Sequence, residues 1–264
     1  MLFNEKFYTE APPERVYALC KTLEIKPATR EELIERLEPK GLNAQQNITG
    51  HVLNTALNTG FIKLNDHSTY SLNTPPENIR DIRAFRKAVA PIAFDDPENL
   101  FFRFTSWYIS QNQTVFDSKN ASELAKKLKG DFINIHEESV LGWRFWASFL
   151  GLGVLHGTLL IPNAAVRIAD QLELQTQLKT ESAIECSVFI NWLVDACPET
   201  KEGTQNQQLS IALSNGLRLL HDRNIIELIH TPDASNTWSL FPSEFHKIES
   251  TVSHVVVKEA SYEL

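Results

Sequence analysis

Few of the residues and runs that announce a particular chemistry occur in this chain. Its three cysteines, Cys20, Cys186 and Cys197, are odd in number and lie within helical patterns. They are too few for a disulfide framework, so buried thiols in a reducing cytoplasm are expected. No apolar run approaches the roughly 18 residues of a membrane-crossing helix. The most apolar stretch, FWASFLGLGVLHGTLLIP, is broken by three glycines and a histidine. The opening residues MLFNEKFYTEAPPERVYALC place Glu5, Glu10 and Glu14 where a secretory leader needs an apolar core, so no leader is expected. Cations are scarce too: 25 Lys and Arg against 33 Asp and Glu give a net charge of −8, with a pI near 5.5. That balance argues against indiscriminate nucleic-acid binding, which draws on many cations set against phosphates. It leaves room for a local basic face on an acidic body. No Gly-x-Ser-x-Gly, P-loop or Cys-x-x-Cys motif occurs, so neither enzymatic activity nor a cofactor is expected.

What is present is a folding pattern. The 264 residues are 42% hydrophobic and 22% charged, with short charge runs, which suits a fully folded chain of two modest domains. TEAPPERVYALCKTLEI opens with two prolines at a helix start and spaces Val16, Leu19 and Leu23 along one face. ATREELIERLEPKG has Thr29 as N-cap and Glu32 three residues on, a capping box, with Leu33, Ile34 and Leu37 as its stripe. Pro39 and Gly41 stop that helix. A third helix is expected from Ala44 to Thr59, with Ile48, Val52, Leu53, Ala56 and Leu57 on one face and Gly60 ending it. The period then changes to two. Phe61–Leu64 and Thr69–Leu72 form two short strands around Asn65, Asp66 and His67.

Farther on, ALSNGLRLLHDRNIIELIHTPDASNTWSLFP repeats that ending. Asn224 stands where Gly60 stood, Ile225–Leu228 matches Phe61–Leu64, and Thr237–Leu240 matches Thr69–Leu72. Such long-period similarity suggests a duplicated unit. Before it, Trp143, Trp146 and Leu150 line one helix, VLHGTLLI is expected as a strand, and Asn163 caps a helix bearing Val166, Ile168 and Leu172. ESAIECSVFINWLVDAC, carrying Ile184, Val188, Trp192 and Leu193, is expected as an inserted helix. Residues 75–139 are expected as a helical connector. In it, a helix from Asn78 to Ala90 buries Ile79, Ile82, Phe85 and Val89 and presents Arg80, Arg83, Arg86 and Lys87 on its other face.

Three helices followed by a hairpin resemble the winged-helix fold over residues 11–73. The expected architecture is therefore mainly α with short β-hairpins: two winged-helix-like domains joined by a helical connector. The domains are residues 1–74, a connector 75–139, a second copy with an inserted helix 140–245, and a C-terminal tail 246–264.

Other motifs reduce to plain structure. GLGVLHG has three residues before its third glycine, where a dinucleotide-binding loop needs two, and an aromatic helix leads into it. His136, Glu137 and Glu138 have nothing at ligand spacing to pair with. Glu38-Pro39-Lys40 sits at a helix end, away from the strand a nuclease motif requires. Trp107, Trp143, Trp146 and Trp192 lie at helical spacing and are expected in the core. Trp238 and Tyr70 hold equivalent places and are expected to pack on their helices.

In a helix-turn-helix reader, residues near the start of the last helix reach base edges in the major groove. Here those are Gln45, Gln46, Asn47, Thr49 and His51, with Asn54 a turn further on. Carboxamides pair bidentately with adenine. That helix carries no Lys or Arg, however, and the wing offers only Lys63. Phosphate contacts would fall to Lys40 and to the Arg80, Arg83, Arg86 and Lys87 face, which Asp81 partly offsets. In the second copy the cations are Arg218 and Arg223.

Tandem winged helices on an acidic body resemble two groups: transcription regulators and replication initiators, and accessory subunits of chromosome-organising ATPases, whose winged helices bind proteins. The combination WRFWASFLGLG…IPN, residues 143–163, also resembles accessory proteins of bacterial defence and DNA-modification operons, the DpdG type among them. That resemblance implies a genomic setting and carries over no catalytic residue. The expectation is a cytoplasmic, non-enzymatic adaptor within a multi-protein, DNA-associated complex for antiviral defence, with other protein subunits as partners. The alternative is a sequence-specific regulator that binds duplex DNA through Gln45 to Asn54. A third option is an enzyme whose site is assembled from distant residues.

Overall fold

The computed structural model describes residues 7–43, 45–66, 68–244, 246–247 and 250–259. Glu5, Ala44 and His67, named above, lie outside the described residues. The protein is mainly helical, with small antiparallel sheets. The first elements are α1 (Pro13–Ile25), β1 (Ala28–Thr29), α2 (Arg30–Leu37), α3 (Ile48–Asn58), β2 (Ile62–Leu64) and β3 (Thr69–Leu72). Next come α4 (Ile82–Phe94), α5 (Leu100–Ser110), α6 (Ala121–Lys127), α7 (Glu137–Phe149), β4 (Gly153–His156) and β5 (Leu159–Pro162). Then follow α8 (Ala165–Leu174), β6 (Ala183–Glu185), α9 (Cys186–Ala196), α10 (Ile211–Asp222), β7 (Ile226–Ile229), β8 (Trp238–Ser239), β9 (Thr251–Val252) and β10 (His254–Val257). Among the described residues no helix is long and apolar enough to cross a membrane.

The chain divides into two compact units, Met1–Phe101 with Ala125–Phe149, and Phe102–Leu124 with Leu150–Leu264. Residues 75–139 contribute to both.

In the first unit, α1 starts at the expected proline pair and buries Val16, Leu19, Cys20 and Leu23. The α2 capping box is complete: the Glu32 amide donates to Thr29 Oγ1 at 3.3 Å, and the Thr29 amide donates to Glu32 Oε2 at 2.8 Å. Gly60 ends the α3 region at φ +72°, a left-handed conformation that glycine adopts with less strain than most other residues. β3 pairs with β2 on one side and β1 on the other, giving the order β1-β3-β2 with Ile62 opposite Leu72 and Ala28 opposite Tyr70. Phe85 of α4 is fully buried, with Phe61, Tyr17 and Phe149 rings 5.1, 5.5 and 5.7 Å away. Trp143 and Trp146 are also buried, and Trp146 Nε1 donates to the Ala11 carbonyl at 3.0 Å.

One expected helix is displaced along its pattern. The Asn78–Ala90 segment is a 3₁₀ turn at Pro76–Ile79, after which α4 begins at Ile82 and runs on to Phe94. Asp81 stops the first piece and caps the second, its Oδ1 accepting from the Ala84 amide at 2.7 Å. Ile82, expected inside, is 42% exposed in consequence.

The second unit repeats the order of the first: α8, β6, α9, α10, β7 and β10, with sheet order β6-β10-β7. β6–α9 is therefore the counterpart of β1–α2, where an inserted helix was expected. Asn224 takes the left-handed conformation at φ 56°, as Gly60 does. VLHGTLLI is a hairpin, β4–β5, and Asn163 Oδ1 caps α8 by accepting from the Ala165 amide at 2.9 Å.

The closing strand departs from the local similarity. Thr237–Leu240 does not pair with β7: β8 pairs with β9, and β7 pairs with β10, Ile226 opposite Val257 and Ile229 opposite His254. Val255, Val256 and Val257, all buried, form a stiff β-branched run better suited to a covered central strand than the TWSL segment. The residues expected as a tail thus supply the middle strand of a sheet. Trp238 is 9% exposed, and its Nε1 donates to Ser187 Oγ of α9 at 3.0 Å. Trp107, expected in the core, is half-buried and stacks on Phe104 at 5.5 Å.

Candidate nucleic-acid interface

The start of α3 is organised by Glu38. Its carboxylate, in a residue only 4% exposed, accepts from the amides of Ile48 (3.0 Å to each oxygen) and Thr49 (2.8 Å), from Thr49 Oγ1 at 2.9 Å, and from Asn43 Nδ2. A carboxylate at a helix N-terminus satisfies orphan amides and faces the positive end of the dipole. Burial alone would raise the Glu38 pKa, yet these hydrogen bonds outweigh it and hold the pKa below the ordinary value. The same contacts delay the helix. Gln46 adopts φ 48°, so α3 begins at Ile48 and not at Ala44, and Gln46 Nε2 donates to the Glu38 carbonyl at 3.0 Å.

The side chains expected to read bases therefore separate into two sets. Thr49 is 2% exposed with its hydroxyl on Glu38, so it cannot touch a base. Gln46 closes the turn. His51 lies against Tyr8, ring centroids 4.4 Å apart. Gln45, Asn47 and Asn54 are exposed, and all three are neutral. Lys63 is exposed on β2. Arg80 pairs with Asp81 at 3.0 Å, while Arg83, Arg86 and Lys87 are half-buried and already engaged. Residues 11–73 contain seven Lys and Arg and seven Asp and Glu, so the surroundings of α3 carry no cation excess.

Beside Glu38, the surface between α1, α2 and α3 holds a hollow of about 290 Å³ lined by Ala18, Leu37, Leu42, Ile48 and Val52, with Arg15 among its residues. Leu42 is 86% exposed there. The sequence signal was available: an apolar residue in a turn after Pro39 has no helical face to serve.

The helix equivalent to α3 in the second unit is enclosed. Ser214 and Arg218 of α10 are 0% and 5% exposed. The chain between β7 and β10, long where the first unit has a tight turn, folds back across it. Phe241 donates its amide to Ser214 Oγ at 2.7 Å and accepts from Arg218 Nη2 at 2.7 Å. Ser239 accepts from the Leu209 amide at 2.9 Å, and Asn215 Nδ2 donates to the Pro162 carbonyl at 3.2 Å. Burial lowers the Arg218 pKa. Arg223 is exposed at the far end of the helix.

His136 and Glu137 are not gathered with further ligands; among the described residues no group of three or more His, Cys, Asp or Glu is placed to hold a metal ion. All three cysteines are buried and free.

These features describe a mainly helical protein whose two units repeat one α-β-α-α-β-β order and whose last helices are tied up by their own surroundings. Residues 3–234 match the DpdG-like family, and the chain belongs to that family. No curated protein and no solved structure matches it.

Proposed function

We propose that the two repeats are winged helices and that the protein is a non-enzymatic adaptor, joining other protein subunits in a DNA-associated defence or DNA-modification complex in the cytoplasm. The sheet orders β1-β3-β2 and β6-β10-β7, each assembled from the same succession of helices and strands, support the winged-helix reading. DpdG-like membership supports the setting. One observation carries the choice of adaptor over DNA reader: neither helix in the reading position is built for a groove. The first turn of α3 is spent on Glu38 amid a neutral surface, and α10 lies beneath residues 239–241. The exposed Leu42 hollow is the surface offered to a protein partner.

The test is fluorescence anisotropy of the full chain with labelled duplex DNA across a salt series, alongside co-elution with proteins encoded beside it. The expected result is binding no tighter than about 10⁻⁴ M at physiological salt, the weak end of non-specific association. A complex with a neighbouring protein should form and weaken on Leu42→Asp. Micromolar DNA binding that falls steeply with salt, and is lost on replacing Gln45, Asn47 and Asn54 with alanine, would overturn the adaptor reading in favour of a regulator. Loss only on neutralising Arg83 and Lys87 would move the contact to α4.

A further inference from the structure

The second unit holds a larger hollow that the adaptor role does not use. Its volume is about 570 Å³, and it lies between the loop leading into α10 and the segment 239–242. That size falls within the roughly 300–1,000 Å³ typical of small-molecule sites.

Its chemistry is distinctive. Exposed Gln205, Asn206, Gln208 and Ser250 line its rim together with half-buried Ser239. None of these five side chains is committed to a hydrogen bond among the described residues, which leaves them open to solvent or to a ligand. Ser210, also in the lining, is 4% exposed, and its hydroxyl is likewise without a partner. A buried hydroxyl left unmatched is costly, and a polar ligand atom brought within its reach would offset that cost.

The backbone carrying these groups is held in an unfavourable form. Asn206 and Gln207 are consecutive left-handed residues at φ 54°, and Asn112, across the hollow's lining, is at φ 52°. Such strain persists only where the surroundings over-determine it. Here Asn112 Oδ1 accepts from the Ile211 amide at 2.9 Å and ties its loop to the start of α10.

The charge of the lining selects the ligand class. Among the described lining residues there is no Lys or Arg, and Glu202 is the one ionisable group. A phosphate would meet a carboxylate and no counter-charge. A carboxamide presents a donor and an acceptor side by side, the arrangement found on the planar edge of a nucleobase. Serine hydroxyls serve as either partner, and Leu240 and Phe241 add apolar residues to the lining. We propose that this hollow binds a neutral nucleobase or nucleoside, read by the carboxamides of Gln205, Asn206 and Gln208. The inference stands on these residues alone and does not depend on the adaptor reading.

The test is isothermal titration calorimetry of the full chain with adenosine, guanosine, cytidine and thymidine, with maltose as a polyhydroxylated, non-planar control. At least one nucleoside is expected to bind with one-to-one stoichiometry and a Kd of about 10⁻⁴ M or tighter. Gln208→Ala and Asn206→Gly should each weaken it by about tenfold, the scale of one or two lost hydrogen bonds. Asn206→Gly is the safer variant for folding, because its left-handed backbone suits glycine. An unchanged thermal midpoint would show that the variant remains folded. No binding of any nucleoside at millimolar concentration would overturn the proposal. So would equal binding by both variants, or binding of maltose in place of the nucleosides.

Discussion

Replacing Glu38 tests the account of α3 most directly. Glu38→Ala removes the acceptor for the Ile48 and Thr49 amides and for the Thr49 hydroxyl. Losing a helix cap costs about 0.5–2 kcal/mol. A buried donor left unsatisfied adds about 1–3 kcal/mol. Ile48 is half-exposed and its amide can turn to water, whereas Thr49 is 2% exposed and cannot do so readily. The expected loss is therefore roughly 2–4 kcal/mol, set mainly by Thr49. Urea unfolding of the full chain, with hydrogen exchange of the α3 amides assigning the change to the first unit, measures it. The pH dependence supplies a second check. Hydrogen bonds hold the folded pKa of Glu38 below its ordinary 4.5, so its contribution is complete above that pH and is lost as the pH falls through the folded value. Glu38→Gln cannot titrate, so the stability gap between wild type and Glu38→Gln should be widest near neutral pH and shrink in acid. A loss below about 0.5 kcal/mol for Glu38→Ala, the range of an ordinary surface change, would refute the capping argument. A gap that stays constant down to acid pH would refute the electrostatic part.

Two further substitutions probe the second unit. Gly216→Ala should gain about 1 kcal/mol of helix propensity and lose more, because its Cβ would come 2.9 Å from the Ala165 amide nitrogen and 3.0 Å from the Ala164 carbonyl carbon, both backbone. Overpacking of that kind costs about 1–3 kcal/mol, so a net fall in the melting temperature is expected, and a rise would show that α8 and α10 separate easily. Arg167 and Glu199 form a pair at 2.8 Å whose side chains are 4% and 0% exposed. Glu199→Ala should cost about 3 kcal/mol, the low end for a broken buried pair, because Arg167 keeps the Ala196 carbonyl at 3.5 Å and the nearby Asp170 charge. Arg167→Met with Glu199→Leu should recover only part of that loss, since buried Asp170 then loses its cation. A urea double-mutant cycle measures the difference, and equal losses in the single and double variants would dismiss the pairing argument.

Signals that act over a few residues were legible in the sequence. The Thr29–Glu32 capping box, the proline start of α1, the left-handed Gly60 and Asn224, and the β2–β3 hairpin depend on neighbours close along the chain. Their energies do not wait for the rest of the fold. The candidate interface was only half legible. Asn54 faces solvent as its helical position required, but Thr49 was taken inward by a carboxylate eleven residues away. Periodicity cannot register a bond of that kind.

The sequence by itself determined the proline start of α1, the α2 capping box, the left-handed helix ends at Gly60 and Asn224, and that the chain repeats one supersecondary unit, because those follow from local sterics, capping and apolar period. Tertiary structure alone decided the partner of β7, the burial of α10 and the carboxamide-lined hollow beside it. The segment TWSL carries the strand formers Thr237 and Trp238 and matches Thr69–Leu72 in pattern, so local reading alone places it beside β7. It lost the central place to Val255–Val257 because the branched side chains fill a covered sheet more completely, and that competition exists only once both segments can reach the same edge.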